Sequence, residues 1–144
     1  MTAYHPILEA FLKGGCEPLA MRDPLGSSLN GRILEMRDGR ARIAFDAGEG
    51  FIQAGGVLQG GIVSALLDYG MALAAFGRLP AGRSVATVSL TTHFLRPAPP
   101  GAYVASGVID RLGASMIFAS GELHREGVDG PCATGTAAMA ISRA

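Results

Sequence analysis

Tryptophan is absent from this 144-residue chain, aromatic residues reach only 6%, and cysteine occurs twice, at Cys16 and Cys132. So few cysteines exclude a disulfide-framed scaffold and read as reduced, structural thiols. The three histidines, His5, His93 and His124, are scattered without metal-ligand spacing, so no metal site is expected. Neither sign of charge prevails: twelve Lys and Arg balance twelve Asp and Glu. Without a basic run, nucleic acid is excluded as the main partner. The first fifteen residues show no basic leader or small-residue cleavage site, which leads us to expect a cytoplasmic protein. What the chain does have is apolar content, 49% of residues. That is enough for one packed domain over residues 1–144 without staples.

The longest apolar run is residues 55–78, GGVLQGGIVSALLDYGMALAAFGR. It predicts a long helix, apolar on every side, that the rest of the chain must surround. Asp68 is the one formal charge between Gly55 and Phe76. Its place in mid-run, and the glycines crowding the first turn, argue for a core helix rather than a membrane span.

Residues 1–29 read as a short amphipathic helix over 5–13, ended by Gly14-Gly15, and then a loop. Residues 30–37 and 40–46 read as a hairpin turned by Asp38-Gly39. After the long helix, residues 84–96 alternate, with Val88, Leu90, Thr92 and Phe94 on one face and Thr87, Ser89, Thr91 and His93 on the other. Pro97, Pro99 and Pro100 stop that strand, and three more follow over 103–111, 115–125 and 132–142. Gly107, Gly121 and Gly135 fall one in each of these three, as suits a sheet curling closely around a helix. Consecutive strands joined by short turns are expected to pair antiparallel in series. The expected class is α+β: a central helix wrapped by a curved antiparallel sheet, with a sheet edge left open to a second chain.

Gly60 and Gly61 stand at the helix start, where unpaired N–H groups carry the positive end of the dipole. That suits polarisation of a carbonyl. Asp68, in apolar surroundings, suits a general base, and the Gln53 amide is placed to orient water. Asp68 follows Gly60 by eight residues, about 12 Å along a helix. One carbonyl cannot touch both, so joint action requires the acid of a second, symmetry-related subunit. Ser64 has no histidine at a triad spacing. Phe51, Leu58, Met71 and Phe76 are candidates for an apolar pocket and equally for the core.

The pattern GGVLQGGIVSALLDYGMALAA, followed by TVSLTTHFLRPA and later ATGTA, resembles the hotdog-fold acyl-CoA thioesterases of the phenylacetic-acid-degradation (PaaI-like) group. The likeness spans most of the chain from about Asn30, the hotdog core being 30–144. It implies hydrolysis of an acyl- or aryl-acyl-CoA thioester by a homodimer or homotetramer, with no cofactor beyond the coenzyme A of the substrate. It implies that the Gly60 N–H polarises the carbonyl, that Asp68 of the opposite subunit activates water or attacks directly, and that Gln53 stands near the scissile bond. It implies that the Thr87 hydroxyl places the water, although strand alternation sets Thr87 on the face away from Phe94. Gln59 stands where many relatives have His, and Ala72 where some have Thr. Gln59 and Gly61 are expected beside the substrate, and Arg111, read as a turn residue, near a CoA phosphate. The alternative reading is a non-catalytic acyl-CoA-binding or oligomerisation module. A dehydratase on the same fold is disfavoured because no His is placed to pair with the acid.

Overall fold

The computed structural model describes Lys13 and residues 17–143; the helix expected over 5–13 lies outside the described residues, Lys13 aside. Within them, seven strands form one antiparallel sheet in the order β1-β2-β3-β5-β6-β7-β4. They are β1 (Leu19–Ala20), β2 (Arg32–Arg37), β3 (Arg40–Ala47), β4 (Arg83–Phe94), β5 (Gly101–Leu112), β6 (Met116–Arg125) and β7 (Ala133–Arg143). A one-turn helix α1 (Pro24–Ser28) follows β1, and the long helix α2 (Gly60–Phe76) joins β3 to β4. The α+β expectation holds.

Local chemistry sets the boundaries. Asp38 (φ 52°) and Gly39 (φ 74°) both take the left-handed conformation, which matches the right-handed strand twist and closes the β2–β3 hairpin. Asp23 caps α1 by accepting from the Gly26 N–H at 2.9 Å. α2 begins later than the apolar run does. Ile52 bridges to Leu58, so residues 53–57 form a tight turn, and Gln59 is extended at the N-cap.

Serial pairing of the last four strands fails at its first step. β4 pairs with β7, and β5 pairs with β3. The segment after β4 carries Pro97, Pro99 and Pro100, which lack the N–H a ladder needs. The Leu95 and Arg96 N–H groups turn to the Cys132 carbonyl, at 2.9 and 3.1 Å. The chain therefore crosses past β7 and β6 to the middle of the sheet, where β5 pairs with β3, and leaves β4 as an edge.

α2 lies across the concave sheet face, with Val63, Leu66, Leu67, Met71 and Ala74 buried. The three strand glycines form a single row: Gly107 is the register partner of Gly121, and Gly121 of Gly135. A Cβ on Gly107 would lie 2.1 Å from the Gly70 carbonyl oxygen of α2. Helix backbone thus rests on sheet backbone, which only glycine permits.

Candidate active site

α2 turns one stripe of residues toward β4. Gly60, Ser64 and Asp68 follow one another at four-residue spacing and so share a face. Each meets a β4 residue. The Phe94 ring tip would lie 3.3 Å from a Cβ on Gly60. The Ser64 and Thr92 hydroxyls are 2.9 Å apart. The Thr87 hydroxyl donates to Asp68 Oδ1 at 2.8 Å.

Thr87 reaches the helix because β4 is bulged. The register with β7 shifts between Thr87 (opposite Met139) and Ser89 (opposite Ala138), which leaves Val88 as the extra residue. One inserted residue exchanges the faces on either side of it. Thr87 thereby joins Thr92 and Phe94 on the helix side, and Val88 is 63% exposed. Plain alternation had set Val88 with Phe94 and Thr87 away from it. Asp68 is half-buried and hydrogen-bonded, rather than the enclosed carboxylate that its apolar neighbours in sequence suggest. A carboxylate so placed is affordable without a cationic partner.

The other candidates gather at the front of α2. Gln59 caps the helix, its Oε1 accepting from the Gly61 N–H at 2.6 Å. Its backbone carbonyl accepts from Ile62 and Val63. Gly61 is therefore engaged by the cap, and Gly60 supplies the remaining first-turn N–H. Gln53 stands in the turn just before, its side-chain oxygen accepting from the Gly55 N–H. Phe51 is partly buried against the core beside this turn.

Two candidates lie elsewhere. Met71 is fully buried against the Gly121 and Gly135 positions, which makes it a core residue without surface to offer an acyl chain. Arg111 is exposed near the end of β5 opposite Phe118, beside a second bulge, rather than in a turn. β6 and β7 lie between it and β4, so a single chain does not bring Arg111 to Asp68. Cys132 is buried, and its Sγ donates to the Leu123 carbonyl at 3.3 Å. Burial holds its pKa above the ordinary thiol value, opposite to what a nucleophilic cysteine needs.

Beside Gly60 opens a cleft of about 350 Å³. Val57, Leu58 and Val63 line it from the helix side, and Phe94 to Ala98 line it from the end of β4. This cleft was not anticipated. The apolar Phe-Leu and Pro-Ala pairs around Arg96, read against the apolar start of α2, were the signal that could have found it.

The family model of the thioesterase superfamily matches residues 55–132, from the front of α2 into the last turn before β7. The chain belongs to the thioesterase superfamily. Over 108 residues this thioesterase is 31% identical to the "Putative esterase SSO2140" of Saccharolobus solfataricus, which covers 75% of each chain. Among solved structures it is similar to a phenylacetic acid degradation-related protein of Ralstonia eutropha, at 29% identity and TM-score 0.78, over 92% of this chain and 98% of that one. It is also similar to the phenylacetic acid degradation protein PaaI of Thermus thermophilus, at 25% identity and TM-score 0.73, over 82% and 98%. The fold is the hotdog arrangement that the motifs implied, and the enzyme is a thioester hydrolase.

Proposed function

We propose that this thioesterase hydrolyses acyl- or aryl-acyl-CoA thioesters at sites shared between two subunits of a homo-oligomer. The carrying observation is a separation. Within one chain, Asp68 with Thr87 stands eight residues, about 12 Å, from the Gly60 amide. β4, which holds Thr87, is a sheet edge, and edges pair with other chains. A two-fold axis at β4 would set the Asp68 of each subunit against the helix front of its partner.

In this reading the Gly60 N–H donates to the thioester carbonyl, and Gln53 and Gln59 border the bound ester. Asp68 of the partner subunit takes a proton from water as the water oxygen bonds to the carbonyl carbon. The resulting oxyanion is held at the helix N-terminus. Its collapse breaks the C–S bond. The departing sulfur takes the proton back from Asp68, giving free acid and CoA thiol. Water is the only co-reactant, so neither metal nor redox cofactor is required. The reading includes a cytoplasmic setting, in keeping with the free Cys132 thiol, and no nucleic acid or membrane partner. Among the described residues no helix is long and apolar enough to cross a membrane.

Thiol release from a panel of acyl-CoAs, followed with a thiol reagent, tests the reading. Wild type releases thiol and Asp68→Asn does not. Equal inertness of the two, with CoA esters still bound, would mean a binding module instead. Single-turnover hydrolysis in oxygen-18 water decides whether Asp68 activates water or attacks the carbonyl itself.

A further inference from the structure

Phe94 combines three properties. It is apolar yet 58% exposed, its ring tip lies against Gly60, and it forms one wall of the 350 Å³ cleft. A large aromatic at the mouth of an apolar cleft, beside the amide read above as polarising the carbonyl, is placed to touch whatever that carbonyl carries. Its exposure is that of the single chain, since β4 is the edge the proposed dimer would pair.

A thioester carbonyl has two substituents, the acyl group and the sulfur that leads to pantetheine. The walls discriminate between them. Pantetheine carries two amides and needs hydrogen-bonding partners. Several of the wall N–H groups are spent inside the protein: Leu58 donates to the Ala98 carbonyl at 2.7 Å, Val63 to the Gln59 carbonyl at 3.3 Å, and Leu95 and Arg96 to the Cys132 carbonyl at 2.9 and 3.1 Å. The Arg96 guanidinium donates to the Asp129 carbonyl at 2.5 Å. What remains toward the cleft is mostly hydrocarbon, from Val57, Leu58, Val63, Leu95 and the Phe94 ring. Such a surface favours hydrocarbon and penalises unpaired amides.

We propose that this cleft takes the acyl group and that Phe94 is the specificity-determining residue at its mouth. The inference rests on the thioesterase reading above and adds the substrate class to it. The volume lies at the small end of ligand pockets, which span about 300–1,000 Å³. It suits a compact apolar acyl group, a short branched chain or a single ring, rather than a long fatty chain. Phe94 limits girth near the carbonyl and offers a ring face or edge to an aromatic acyl group.

The test is a kcat/KM profile over straight-chain acyl-CoAs from two to sixteen carbons together with benzoyl- and phenylacetyl-CoA. It is run on wild type, Phe94→Ala and the cleft-filling Val57→Phe. Wild type should peak at compact acyl groups. Phe94→Ala should move the ratio of long-chain to compact substrates upward by about tenfold, the scale of one or two methylenes of pocket contact. Val57→Phe should move the same ratio downward. Profiles that keep the wild-type shape in both variants, whatever their overall rate, would overturn the assignment while leaving thioester hydrolysis intact. A wild type that releases thiol from no acyl-CoA would overturn the inference together with the reading beneath it.

Discussion

The Thr87 hydroxyl donates to Asp68 Oδ1 across 2.8 Å, and it does so only because β4 carries an extra residue between Thr87 and Ser89. The bond fixes one oxygen of the carboxylate, and in the proposed mechanism the other would take the proton from water. In that mechanism Thr87 would be a positioning residue that acts through Asp68. Thr87→Val is expected to lower kcat about 10- to 100-fold, the worth of one hydrogen bond to a charged group, with KM little changed. Thr87→Ser, which keeps the hydroxyl, should restore most of the rate. Steady-state kinetics on the three proteins checks this, and an equal loss in Val and Ser variants would count against it.

The Gly60 N–H can be removed without dismantling the helix. Gly60 is the first helical residue, where proline is tolerated, and Gln59 before it is already extended at ψ 137°, as a residue preceding proline must be. Gly60→Pro should melt near the wild-type temperature while kcat falls about 100- to 1,000-fold, as when one oxyanion donor is lost. Gly60→Ala, which keeps the N–H, should lose far less. Its Cβ meets only the Phe94 ring tip at 3.3 Å, and that ring can shift.

A shared site makes two dead variants rescue each other. Asp68→Asn supplies an intact helix front and Gly60→Pro an intact acid. In a randomly mixed dimer of the two, one site is whole and the other lacks both groups. An equimolar refolded mixture should recover roughly a quarter of wild-type turnover, because half the dimers are mixed and half their sites are intact. No recovery from verified mixed dimers would place the whole site within one subunit.

Much of this was legible from residue order, and the misses have local causes. The Asp38-Gly39 turn, the long helix and the aligned strand glycines were readable because each needs a particular residue type at a particular place. The β4–β7 pairing was not, since strand patterning carries no information about which distant partner a strand meets; only the prolines after β4 hinted that the hairpin would break. The Val88 bulge was invisible because alternation is counted on the assumption of unbroken pleat, and no glycine marks this bulge. Gln59 and Gln53 were legible as helix-front residues. Their side chains prove to bond the Gly61 and Gly55 N–H groups, so both shape the turn that presents Gly60. Met71 was ambiguous in sequence because core and pocket residues share the same chemistry.

The glycine row offers a graded test of local crowding, set by α2 backbone at Gly107 and by neighbouring strand carbonyls with α2 side chains at Gly121 and Gly135. At Gly107 an added Cβ would sit 2.1 Å from the Gly70 oxygen and 2.6 Å from the Met71 nitrogen. Both are backbone atoms, so relief requires the whole helix to lift. Gly107→Ala should therefore cost about 3 kcal/mol or more and lower the melting temperature by about 10 °C. At Gly121 the obstacles are the Ser106 oxygen at 2.8 Å and the Met71 side chain at 3.1 Å, one rigid and one pliant, which predicts an intermediate loss. At Gly135 the contacts are 3.3 Å to the Thr91 oxygen and 3.4 Å to Leu67 and Met71 methyl carbons. There the neighbours give by tenths of an ångström, and Gly135→Ala should stay within about 1 kcal/mol of wild type. Thermal melts of the three variants should fall in that order. Equal losses would mean that backbone freedom at the three positions, which is common to them, outweighs the crowding around the added Cβ, which is not.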